Sequence, residues 1–243
     1  MAVGNRCVGW TGADADDSLE NRDIGGTRFV NRTKGILLAI ALTLVAGGAA
    51  VAGPYEDGAE AYRTAHDTPR YRRAFAMLRP LADQGDARAQ VLIGEMYEYG
   101  RGFPKKPVEA TEWYRKAADQ GYADGQYRLG HMNEWRNHAP RNYPEAAKWY
   151  RKAAGQGHVN AQYSLGHLYE YGRGVAQSYG EAIKWYRKAA DQGLSRAQNH
   201  LGIVYEYGRG VTPNRGEAIK WYRKGAAGGH QDAMRALSRL GQR

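Results

Sequence analysis

Three histidines raise the question of chemistry first. His131 and His167 stand 36 residues apart, and His200 follows 33 residues later. On neighbouring helices, whose axes lie about 8–10 Å apart, such residues approach closely enough to share a metal ion or relay a proton. A zinc centre needs more ligands than that, drawn from cysteine, histidine and carboxylate. The chain has a single cysteine, Cys7, and no His-Glu-x-x-His spacing. Glycine-flanked arginines at 100–102, 172–174 and 208–210 have the composition of phosphate loops. They recur in register with everything else in the chain, however, which marks them as turn punctuation. No nucleophile elbow and no Ser-x-x-Lys is present. These observations predict no catalytic residue, no metal and no cofactor.

The chemistry that remains is that of contact. Tyr99, Trp135, Tyr171 and Tyr207 form an aromatic column with a constant interval of 36 residues. Polar residues flank it at helical spacing: Arg128 and His131 before Trp135, His167 before Tyr171, and His200 before Tyr207. Tyr, Trp and Arg are over-represented among the residues that dominate binding energy. The column and its neighbours are therefore the expected partner-binding surface. The other reading of the aromatic rings is that each packs over the turn that follows and stiffens it. A second charged feature is a ridge of Arg115-Lys116, Lys148 with Arg151-Lys152, Lys184 with Arg187-Lys188, and Lys220 with Arg223-Lys224. With a net charge of +10 and a pI near 9.6, this ridge suits an anionic polysaccharide or membrane surface, or else is a solvated helix face.

The elements that position these residues are repeats. Trp-Tyr recurs at 113–114, 149–150, 185–186 and 221–222, glycine at 94, 130, 166 and 202, and glutamine at 90, 126, 162 and 198. Every interval is 36 residues, without insertion, which identifies a repeat array before any other fold. Within one unit, Ala161, Leu165, Leu168 and Tyr169 lie on one face of a first helix. Gly166 beside that face permits close approach, and Gly172-Arg173-Gly174 ends the helix. A second helix buries Ala182, Trp185, Tyr186 and Ala189, with Glu181 in its first turn and Arg187-Lys188 near its end, as the helix dipole favours. Four such units are expected over residues 87–230, with a capping helix pair at 53–86 and a capping helix at 231–243. The second unit departs from the pattern. It reads NEWRNH where others read YEYGRG, so that Asn133 replaces a core tyrosine and the turn is expected to be rebuilt around Asn137, His138 and Pro140. A specialised contact and simple drift both account for that change.

Before the array, Arg32 and Lys34 precede the apolar run ILLAIALTLVA at 36–46, and Ala50-Val51-Ala52 has the form of a signal-peptidase site. Residues 30–52 are expected to be a signal peptide cleaved after Ala52, which places the chain in the periplasm or outside the cell. The alternative is an inner-membrane anchor over residues 35–53. Residues 1–29 are acidic in the middle and too long for a signal's first region, so they are expected to be a non-native extension, with translation starting at Val30. An exported chain excludes nucleic acid as a partner.

The segments AQYSLGHLYEYGRGV and GEAIKWYRKAADQG closely resemble the Sel1-like repeat, a relative of the tetratricopeptide repeat, and the resemblance extends over about residues 56–243. It implies an all-α fold: a right-handed superhelical solenoid of antiparallel helix pairs, with first helices on the concave side. It also implies a role as an adaptor in membrane-associated or secreted bacterial complexes. The function expected is a non-enzymatic protein–protein scaffold or regulator in the bacterial envelope. The alternatives are a binder of anionic envelope polysaccharide or membrane through the basic ridge, and a β-lactam-binding or hydrolysing enzyme like the cysteine-rich Sel1-like subgroup. This chain lacks that subgroup's paired cysteines.

Overall fold

The computed structural model describes residues 53–135 and 141–242. The proposed start at Val30, the signal peptide or anchor, and the turn at Asn137, His138 and Pro140 lie outside these described residues. Within them the chain is all helical, with helices α1 (Pro54–Thr64), α2 (Thr68–Asp83), α3 (Ala87–Tyr99), α4 (Pro107–Asp119), α5 (Ala123–Glu134), α6 (Tyr143–Gly155), α7 (Val159–Tyr171), α8 (Tyr179–Asp191), α9 (Ser195–Tyr207), α10 (Arg215–Ala227) and α11 (Gln231–Arg239). Among the described residues no helix is long and apolar enough to cross a membrane.

The helix ends follow from local sequence. α6, α8 and α10 begin behind Asn142, Ser178 and Asn214, whose side-chain oxygens accept the backbone N–H of Glu145, Glu181 and Glu217. α3, α7 and α9 end at Gly100, Gly172 and Gly208, each in the left-handed conformation that glycine adopts without steric cost. α5 has no such glycine and stops one residue earlier, with Trp135 as its cap at φ −115°. In place of the core tyrosine, Asn133 is buried and satisfies its own amide by donating to the carbonyl of Leu129 at 2.7 Å.

Each Trp-Tyr pair divides its work between two repeats. Tyr114, Tyr150, Tyr186 and Tyr222 are buried between the helix that precedes them and the first helix of the next unit. Their rings lie on Gly94, Gly130, Gly166 and Gly202; a Cβ on Gly166 would stand 2.8 Å from the Tyr186 ring. That is why a glycine recurs mid-helix, where it otherwise costs about 1 kcal/mol. The tryptophans face backwards instead. Trp113 joins the cluster formed by Leu78, Ile93 and Met96, and Trp221 joins that of Leu201 and Val204.

The recurring glutamines form a polar clasp along the stack. Gln156 donates to Gln126 Oε1 at 2.8 Å and to the Gly121 carbonyl at 2.9 Å, and Gln192 repeats this with Gln162 and Gly157. Gln126 and Gln162 donate in turn to the carbonyls of Ala118 and Ala154 in the helix before. Buried amides are thereby paired, and consecutive helix pairs are fixed in one register.

Every helix packs on its sequence neighbours. In addition α1 touches α3, α3 touches α5, and α9 touches α11, whereas among the described residues no contact of similar extent joins two even-numbered helices. The odd-numbered helices therefore line the shorter, concave side of the stack.

Candidate functional site

The four aromatic rings sit along the concave side at the C-terminal ends of α3, α5, α7 and α9. They are the most solvent-open large hydrophobic side chains of the inner helices: Tyr99 is 42% exposed, Trp135 50%, Tyr171 47% and Tyr207 59%. One side of three of them is covered by an arginine. Arg101 lies 5.2 Å from the Tyr99 ring, Arg141 5.6 Å from Trp135, and Arg173 5.3 Å from Tyr171. Packing against the turn and presenting a free face thus occur together: the guanidinium braces the ring and leaves its other side open.

Behind the column the polar residues are already engaged with one another. Arg128 forms an ion pair with Glu95 of the preceding repeat and donates to the Tyr99 hydroxyl at 3.1 Å. His200 is half-buried, with Nε2 3.0 Å from the Tyr163 hydroxyl and Nδ1 3.6 Å from Glu170. Both residues, expected to face a partner, therefore serve as struts between repeats. His131 lies 6.5 Å from the Trp135 ring and His167 lies 4.6 Å from the Tyr171 ring. Burial lowers both imidazoles below the ordinary histidine value, helped at His167 by the neighbouring His200 and Arg173, so both are neutral at pH 7. The rings of His167 and His200 are 6.5 Å apart, yet among the described residues no group of three histidine, cysteine or carboxylate side chains is placed to hold a metal.

Three residues that reading the sequence does not single out, Tyr127, Glu134 and Tyr163, matter at this site beside Arg196, which helical spacing places on the inner face with His200 and Tyr207. Together with His131, Trp135, Ser164 and His167 they line a pocket of about 270 Å³ spanning α5, α7 and α9. The cause is a single small side chain. At the position held by Leu92, Arg128 and His200 in the other repeats, the third repeat carries Ser164. The signal was present in the sequence as the one small residue in an otherwise bulky column.

A carboxylate row runs beneath the same face. Glu98, Glu134, Glu170 and Glu206 each accept a hydrogen bond, at 2.6–2.8 Å, from the buried tyrosine 16 residues later. Glu170 also receives Arg209 at 2.6 Å, and Glu206 receives Arg239 at 2.6 Å. Burial pushes Glu170 up, but the bonds and charges of His200, Tyr186 and Arg209 more than reverse this and hold it down to about 2. At Glu134 burial wins, and its carboxyl is raised above the ordinary glutamate range despite hydrogen bonding to Tyr150 and Trp135.

Three lysines of the basic ridge on the outer helices are paired with carboxylates, and four others lie against indole rings. Lys148, Lys184 and Lys220 pair with Glu145, Glu181 and Glu217 one turn earlier. Lys116, Lys152, Lys188 and Lys224 lie 3.8–4.5 Å from the rings of Trp113, Trp149, Trp185 and Trp221. Exposed pairs of this kind contribute little to stability individually.

A stack of antiparallel helix pairs with an open, aromatic inner face defines the class of helical-repeat solenoids. The Sel1 repeat model matches residues 55–86, 87–122, 123–158, 159–194 and 195–230, and the chain belongs to the Sel1 repeat family. The fold is similar to that of a Sel1 repeat protein from Oxalobacter formigenes, with 38% identity, a TM-score of 0.67, and 74% of this chain and 70% of that one covered. It is also similar to c5321, a protective antigen of uropathogenic Escherichia coli, with 32% identity and a TM-score of 0.67. That match covers 78% of this chain but only 41% of the antigen's length. The immunity protein Pa5087 from Pseudomonas aeruginosa, 23% identical with a TM-score of 0.51 over 74% of this chain and 66% of that one, shares the fold. No curated protein matches the chain. Sel1 repeat proteins are typically non-enzymatic scaffolds that bind protein partners.

Proposed function

We propose that this chain is a non-enzymatic scaffold or regulator of the bacterial envelope that holds a segment of a protein partner in its concave groove. The observation that carries this reading is the inner aromatic column. Four large rings are kept at the water boundary in strict register, where a chain selected only for solubility gains nothing from them. The groove is preformed by the clasps and struts between repeats, so association does not first have to order it. Delivery beyond the inner membrane follows from the apolar segment at 36–46 and is part of the same proposal.

The test is affinity capture from envelope extract with residues 53–243, beside the same bait carrying Tyr99→Ala, Trp135→Ala, Tyr171→Ala and Tyr207→Ala. A discrete protein retained by the parent and released by the variant, confirmed by titration with the purified partner, supports the groove. Retention of polysaccharide or lipid alone, insensitive to the four substitutions and removed by salt, shifts the reading to the outer ridge.

A further inference from the structure

The repeats supply their own comparison at the pocket. Where α7 meets α9, the inner position is His200, which reaches Glu170 of the preceding repeat, and Arg209 pairs with the same carboxylate. Where α3 meets α5, that position is Arg128, whose guanidinium is paired with Glu95. At the C-terminal end Arg239 covers Glu206. In each case a basic side chain enters from the next element and ends on a carboxylate: Glu170 and Glu206 lie in the register of Glu134, whereas Glu95 lies one turn before Glu98, its equivalent in the first repeat. Between α5 and α7 the entering residue is Ser164, and among the described residues no cation stands within 4.0 Å of Glu134. Arg173, the register equivalent of Arg209, lies over the rings of Tyr143 and Tyr171 and, like Arg141, acts on Glu134 only through space. Glu134 is 4% exposed, and the pocket lies directly against it.

We propose that this pocket is a seat for one basic side chain of the protein partner, a guanidinium or ammonium that ends against Glu134 and lies between the rings of Trp135, Tyr127 and Tyr163. The proposal rests on the groove reading for its partner and names what that partner must present. Aromatic faces suit a cation, and the chain already seats its own on the same rings: Arg141 lies over Trp135, and Arg196 lies 4.8 Å from Tyr163. His131 and His167 are neutral and do not oppose it. At about 270 Å³ the space is just smaller than ordinary ligand pockets and is sized for a side chain. Arg196, bonded to Asn160, makes the opposite wall positive and orients the incoming cation toward Glu134. That wall is left to face a carbonyl or carboxylate of the same partner segment.

The test is a titration of the isotope-labelled protein, following the Trp135 indole N–H by NMR, with three probes: N-acetyl-argininamide, its uncharged isostere N-acetyl-citrullinamide, and N-acetyl-glutamic acid amide. The argininamide is expected to bind about ten-fold more tightly than the citrulline probe. Glu134→Gln is expected to erase that preference. Ser164→Leu, which gives the third repeat the residue that the first carries as Leu92, is expected to block both probes while helicity is kept. Equal binding of the citrulline probe, a preference that survives in Glu134→Gln, response to the glutamate probe alone, or no response at all would each overturn the seat. Partner capture that is lost with the four aromatic substitutions but intact in Glu134→Gln and Ser164→Leu refutes the seat and leaves the groove standing. Selective argininamide binding without any captured protein refutes the groove alone.

Discussion

Glu134 and Glu170 hold the same place in successive repeats, and their carboxyls are driven in opposite directions. Replacing each by glutamine, which keeps the shape and removes the titration, turns that contrast into a measurement. Glu170 ionises at about 2 in the folded chain against an ordinary 4.5. At about 1.4 kcal/mol per pH unit, the difference is worth about 3 kcal/mol. Because the folded value is the lower one, this stabilisation is complete above pH 4.5 and is lost as pH falls toward 2. Glu170→Gln is therefore expected to lose about 3 kcal/mol at neutral pH and much less near pH 3. For Glu134 the sign reverses. Its folded value is raised, so its contribution is present below the ordinary glutamate range and declines as pH rises through the folded value. Glu134→Gln is expected to be at least as stable as the parent at neutral pH and to lose that advantage in acid. Urea unfolding followed by far-ultraviolet circular dichroism reads both variants beside the parent at each pH. A Glu170→Gln variant as stable as the parent at neutral pH, or a gap of the same size in acid, refutes the reasoning. So does a Glu134→Gln variant that loses as much as Glu170→Gln.

Three other outcomes are expected. Gly166→Ala gains about 1 kcal/mol of helix propensity but brings Cβ to 2.8 Å from the Tyr186 ring and 3.2 Å from the Ala182 carbonyl. Overpacking at about 1–3 kcal/mol wins, and the melting temperature falls, whereas Gly180→Ala, with nothing nearer than 3.9 Å, raises it. Gln156→Ala leaves the Gln126 carbonyl oxygen and the Gly121 carbonyl without their donor and is expected to cost about 1–3 kcal/mol in denaturant unfolding. The variant with all four inner aromatics changed to alanine is expected to keep its helicity and lose less than about 2 kcal/mol, at roughly 0.5 for each surface site. A larger loss would mean that the rings hold the stack together.

The fold was legible in the sequence because one interval, 36 residues, carries every core position at once. The close approach at Gly166 and the glycine ends of α3, α7 and α9 could be read the same way, since each uses a property that only glycine has. The recurring glutamines were visible, but their role was not, because a clasp between Gln126 and Gln156 depends on three-dimensional register across 30 residues. The division of labour within Trp-Tyr was hidden for the same reason. At the groove, the positions of the aromatic column could be counted along the helices. The engagement of Arg128 and His200 could not, since Glu95 and Glu170 lie 33 and 30 residues away on another helix. The pocket stayed hidden because a serine carries no reactive signature in this setting; its content is the volume that Ser164 fails to fill.

The local character of the packing has a kinetic consequence. Among the described residues the longest side-chain hydrogen bonds, Arg101 to Tyr62 and Arg209 to Glu170, close only 39 residues of chain. Loop-closure entropy therefore stays small at every step, and no contact waits for the two ends to meet. Once one helix pair and its neighbour have docked, each further pair adds onto a finished template, so structure advances as a front along the chain. Lengthening the array by another unit would extend the travel of that front without raising the barrier at which it starts.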